Sequence, residues 1–99
     1  MMADSAKLSL EELFSSRGRF RVLKVLLLSE ELNVSEIARR AQLNHTATIS
    51  HLNFLKRHGL IREKRYGKIR IYCLENDNPY VKLLKDFIFT FESLSFQRT

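Results

Sequence analysis

Nine basic side chains and a single acid lie between Arg39 and Arg70: Arg39, Arg40, Lys56, Arg57, Arg62, Lys64, Arg65, Lys68 and Arg70 against Glu63. That third of the chain therefore carries +8, and everything outside it sums to −2 of the total +6. Such clustering suits a polyanion, because each Lys or Arg set on a phosphate releases condensed counterions. An idle solvated face would carry the same charge. An anionic membrane would call instead for basic residues flanking a strong apolar helical stripe, and here they fall across a helix end and two short strands. The remaining reactive groups are scattered. His45, His51 and His58 are six and seven residues apart, which on a helix means about 9–10 Å, too far to share one ion. The lone Cys73 lies on a strand with no evident base, and the sequence has no glycine-rich phosphate loop or carboxylate pair. No catalytic residue, metal ligand or cofactor is expected, and an enzyme is the least favoured class.

The elements that must position these charges follow from composition and spacing. A chain of 99 residues has room for one domain, spanning 1–99, with a modest core that a partner subunit would enlarge. One cysteine excludes an internal disulfide framework. No signal peptide is visible at Met1–Leu10, and no apolar run approaches the ~20 residues needed to cross a bilayer. Ser9-Leu10-Glu11-Glu12 has the spacing of a reciprocal capping box. It opens a short helix with Leu10, Leu13 and Phe14, and a second helix runs from Arg17 or Arg19 to Leu28; together they occupy 9–28. Ser29 to Asn33 reads as a turn, and Ser35 as the cap of a third helix through Ile37, Ala38 and Ala41. Asn44 is a good N-cap for a fourth helix ending at His58, with Gly59 in the left-handed position after it. Leu60–Tyr66 and Lys68–Leu74 are strand-like runs joined at Gly67. Within the second, Ile69, Ile71 and Cys73 alternate with Arg70, Tyr72 and Leu74, so one face can pack. Pro79 starts a last helix to about residue 95.

Two short helices joined by a tight turn (35–58), then a glycine stop and a basic hairpin (60–74), make a winged helix-turn-helix. The fold class is mainly α with a small hairpin, in the order α-α-α-α-β-β-α. The second helix of the pair fits a major groove while the first crosses the backbone. Leu52 and Leu55 anchor it, and Gln42 stands in the turn where glycine is usual. The candidate base readers are His45, Thr46, Ile49, Ser50 and Asn53; Ile49 fits groove contact and packing equally. Thr48 reads as core, and His51 as a structural histidine against the third helix. Candidates for phosphate, backbone or minor groove are Asn44, Lys56, Arg57 and the wing residues Lys64, Arg65, Tyr66, Lys68 and Arg70. Arg39 and Arg40 join them, although cations at a helix end also favour its dipole. Arg17, Arg19 and Arg21 form a second basic cluster. On the last helix Tyr80, Leu84, Phe87, Phe91 and Leu94 make one apolar stripe, while Val81, Leu83, Ile88 and Phe89 add a second. An amphipathic helix needs one buried face, so the surplus points to a homodimer.

The stretch from Ser16 to Leu74 resembles the ArsR/SmtB group of winged-helix repressors, most specifically in RFRVLKVLL, ISHLNFLKRHGLI and GKIRIYCL. The resemblance implies a double-stranded-DNA-binding transcriptional regulator, a repressor by promoter occlusion, working in the cytoplasm on the nucleoid. It also implies dimerisation through the terminal helices, which adds Leu10, Leu13 and Phe14 to Tyr80, Leu84, Phe87, Ile88, Phe91 and Leu94. Metal-sensing members carry a cysteine pair in a motif like ELCVCDL. Here the residues are Glu31-Leu32-Asn33-Val34-Ser35-Glu36-Ile37, and a soft-metal site needs thiolate or imidazole ligands. The family's metal chemistry is therefore not expected. A winged helix used for protein–protein assembly, or a non-specific architectural DNA binder, are the alternative classes.

Overall fold

In the computed structural model, which describes residues 8–98, the elements run α1 (Leu10–Phe14), α2 (Arg17–Leu27), β1 (Glu31–Asn33), α3 (Val34–Ala41), α4 (His45–Arg57), β2 (Ile61–Tyr66), β3 (Ile69–Leu74) and α5 (Pro79–Arg98). The helix starts follow the capping residues. Ser9, Ser16 and Asn44 each accept a backbone N–H from the residue three positions on. The box at Ser9 is only half closed. Its Oγ accepts from the Glu12 N–H and donates to the Glu11 carboxylate at 3.0 Å, a side-chain bond in place of the reciprocal one to the Ser9 N–H.

Two boundaries differ from expectation for one reason. Residues 31–33 are not a turn but a third strand, pairing antiparallel with β3 in the order β1-β3-β2. Three residues are too short to show a period of two. Because β1 ends at Asn33, that residue rather than Ser35 caps α3, accepting the Glu36 N–H at 2.8 Å.

The core forms where α2, α3, α4 and α5 meet one face of the sheet. Val22, Leu23, Leu26, Ile37, Leu52, Leu55 and Leu60 are fully buried, with Val81, Leu84 and Ile88 closing it from α5. The face of β3 that packs is that of Tyr72 and Leu74, while Ile69 is exposed and Cys73 is buried. Thr48 is buried as expected, its hydroxyl donating to the Asn44 carbonyl at 2.8 Å. The turn between α3 and α4 is made by Gln42 in the left-handed region (φ 60°, ψ 48°). That conformation is costly for a residue with a Cβ. Two contacts hold it there: Leu43 N–H reaches the Ala38 carbonyl at 3.0 Å, and the Gln42 side-chain carbonyl accepts from Arg21 at 2.8 Å. Gly59 (φ 76°) ends α4 and Gly67 (φ 61°) turns the hairpin, both in a region glycine enters without strain.

Candidate nucleic-acid interface

With Leu52 and Leu55 buried against α2, α4 turns His45, Thr46, Ser50 and Asn53 outward. Among the described residues, none of these four side chains is engaged in a hydrogen bond or ion pair within the chain. They form a ridge of solvent-facing donors and acceptors. Ile49 lies off that ridge, half-buried against the core, which favours packing over groove contact. Asn44 is occupied at the helix start, its Oδ1 accepting the Ala47 N–H at 2.7 Å. His51 is half-buried, with α2 as one neighbour. Its Nε2 sits 2.9 Å from where a Cβ on Gly18 would stand, so that glycine makes room for the ring. Burial, and then the nearby Arg19 guanidinium, lower its pKa below the usual 6.5.

The basic residues around the ridge differ in how free they are. Arg39 and Arg40 both ion-pair with Glu36 one turn back, and Arg40 also donates to the Ser29 hydroxyl at 3.1 Å. Arg39, then Arg40, hold the Glu36 carboxyl down at about 2. These two cations are therefore tethered to their own helix. On the wing, Lys64 reaches Glu31 of β1 at 2.6 Å, and Arg62 lies 3.4 Å from the Cys73 sulfur and 3.6 Å from Glu75. Glu63 accepts from Lys56 at 3.0 Å, Arg70 at 2.7 Å and Arg65 at 3.2 Å. No ion pair engages Arg57 or Lys68 among the described residues. A cleft of about 280 Å³ separates wing from helices, lined by Asn33, Ser35, His45, Lys68, Ile69 and Arg70. Tyr66 is exposed near the hairpin tip. Of the α2 arginines, Arg19 lies 3.7 Å over the Phe54 ring and donates to the Glu12 carbonyl, while Arg21 serves the Gln42 turn. Both have structural work there, while the Arg17 side chain makes no hydrogen bond or ion pair among the described residues.

A polar-faced helix beside a basic hairpin, on this scaffold, matches known proteins. A family model described as "Bacterial regulatory protein, arsR family" matches residues 16–63. The chain is similar to winged-helix regulators of that family. It is similar to HlyU from Vibrio cholerae N16961 (27% identity, 83% of this chain and 86% of that one, TM-score 0.70). Similar in the same way is a transcriptional regulator HlyU from Vibrio vulnificus CMCP6 (26% identity, 83% and 82%, TM-score 0.69). Its fold also matches the homodimeric winged helix-turn-helix DNA-binding domain, fragment 1–100, of a Mycobacterium bovis protein (22% identity, 89% and 79%, TM-score 0.65).

Within this ArsR-like chain the positions that would carry a thiolate pair have other uses. The Asn33 carboxamide caps α3, and Ser35 is an exposed residue of its first turn. No group of three or more His, Cys, Asp or Glu among the described residues could hold a metal ion. Nor is any described helix long and apolar enough to cross a membrane.

The expected dimer face needs correcting at three residues. Leu13 is 1% exposed, and Leu84 and Ile88 also face inward, because the heptad-like stripe of α5 drifts across two sides of the helix. What α5 leaves outside is Tyr80, Leu83, Phe87, Phe89, Phe91, Leu94 and Phe96; Leu10 and Phe14 are the apolar residues exposed on α1. Sequence reasoning grouped Leu83 and Phe89 with Val81 and Ile88 in a second stripe, yet the first two are exposed and the last two buried. It also passed over Glu63 as a mere exception to the basic run. Its place opposite Tyr72 and diagonal to Arg70 depends on the register of β2 with β3, which no local spacing reveals.

Proposed function

We propose that this chain is a homodimeric, sequence-specific regulator of transcription that binds double-stranded DNA and acts as a repressor by occluding its site. In this reading His45, Thr46, Ser50 and Asn53 of α4 read base edges in the major groove. The wing, chiefly Lys68 with Arg65 and Tyr66, grips the backbone or minor groove. Arg57 and Lys56 follow the backbone at the far end of α4, and the protein works in the cytoplasm on the nucleoid. The observation that carries the reading is the α4 ridge, whose unengaged polar groups are flanked by the +8 segment. Asn can pair bidentately with adenine, and Ser or Thr can bond either edge.

The dimer is supported by the exposed apolar side of α5, since a large exposed apolar patch marks an interaction site. The homodimeric Mycobacterium bovis neighbour has the same fold. Two-fold symmetry then requires a roughly palindromic site, with half-sites about 10 bp apart or a multiple of that. Selection of bound duplexes from a random pool tests this. Enrichment of a palindrome at that spacing is the expected result. Binding without enrichment would favour the architectural alternative, and no binding at low salt would favour the protein–protein module.

A further inference from the structure

We propose that Glu63 is a positioning residue for DNA recognition, locking the wing to the C-terminal end of the recognition helix. The proposal rests on the DNA-binding reading above. An acid in the middle of nine cations repels phosphate, so its contribution must lie in geometry rather than in charge. Its side chain is only 12% exposed, and both of its oxygens are used. Oε1 accepts from Lys56 Nζ in the last turn of α4 at 3.0 Å. Oε2 accepts from Arg70 Nε at 2.7 Å and from Arg65 Nη2 at 3.2 Å. Arg70 in turn donates from Nη2 to the hydroxyl of the fully buried Tyr72 at 2.7 Å.

A continuous chain therefore runs from the core through Tyr72 and Arg70 to Glu63, and from there both to the wing strand and to α4. Without it, three like charges would crowd one corner. Each long side chain would regain its rotamer freedom, and the wing would lose its fixed angle to α4. Phosphate contacts set register while base contacts specify. A loosened wing would still find phosphate but would no longer hold α4 in one register.

The test compares the full chain with Glu63→Gln, and with Glu75→Gln as a control of equal charge change. Among the described residues the Glu75 side chain pairs with Arg62 alone, at 3.6 Å, outside this network. Each is titrated with the duplex that the wild-type chain enriches and with a random-sequence duplex, and Arg70 Nε–H exchange with water is followed by NMR. Glu63→Gln should bind random duplex somewhat more tightly. Its selected-to-random ratio should fall about tenfold, the order of one lost base pair, with faster Arg70 exchange. Glu75→Gln should leave both ratio and exchange unchanged. Equal ratios for the two variants, or unchanged Arg70 exchange in Glu63→Gln, would overturn the role of Glu63 while leaving the DNA-binding reading intact. A wild-type chain that binds neither duplex at low salt would overturn both.

Discussion

The wing and the last helix both project from the core, but they finish their surfaces in opposite ways. On the wing and its surroundings the cations have found anions: Lys64 has Glu31, while Arg65, Arg70 and Lys56 share Glu63. Arg70 first, and then Lys56, hold the Glu63 carboxyl down at about 2. Water satisfies whatever charge is left over. On α5, Val81, Leu84 and Ile88 enter the core, whereas Leu83, Phe87 and Leu94 on another side are more than half exposed. Water does not satisfy apolar surface; burial does, at roughly 25 cal/mol per Å². The contrast teaches that the polar appendage is complete in one chain and ready for a transient partner. The apolar one keeps a face that the proposed dimer would bury.

The largest test attacks the apolar half. Leu83→Glu with Phe87→Glu should convert the dimer to a monomer in sedimentation, with helicity retained because both side chains are exposed. Affinity for the selected duplex should fall by at least about 100-fold as avidity is lost. A dimer that persists would place the interface elsewhere. Removing α5 altogether is the poorer experiment, since it also strips three residues from the core. Next in size, Asn53→Ala should cost about 1–3 kcal/mol on the selected duplex and almost nothing on a random one. An equal loss on both would demote Asn53 to a backbone contact. Lys68→Ala should weaken all duplexes alike and reduce the salt slope by about 0.9 per protomer. An unchanged slope would mean that Lys68 touches no phosphate.

The smallest effect lies at the seam between α2 and α4. The folded His51 pKa lies below 6.5, so its contribution to stability is present above the unfolded value and is lost as pH falls toward the folded one. Wild type should therefore lose a few degrees of Tm on acidification through that window, and His51→Gln should lose less. Identical slopes would mean that another group titrates there.

How much of this could be read from the chain alone depended on the range of the forces involved. Caps at Ser9 and Asn44, the stop at Gly59 and the anchoring pair Leu52 and Leu55 are local, and they emerged directly. Asn33 as a cap did not, because it depends on β1, whose three residues exist as a strand only through pairing with β3. The ridge of α4 was legible from helical periodicity, apart from Ile49, whose packing depends on the neighbouring core. The pairing of the basic residues was not legible. Charge composition counts cations, but register and side-chain reach decide that Glu63 gathers Lys56, Arg65 and Arg70 while Lys68 stays free of ion pairs. For the same reason Leu13, Leu84 and Ile88 pointed inward. An apolar stripe says that a face is buried, and tertiary packing says whether its own protomer or another buries it.

Affinity for duplex DNA as a function of salt tests the central claim most directly. If the helix-turn-helix and wing form a polyanion surface, log K should fall linearly with log salt, by about 0.9 for each phosphate neutralised across the dimer. A flat dependence, or no binding at low salt, would contradict it.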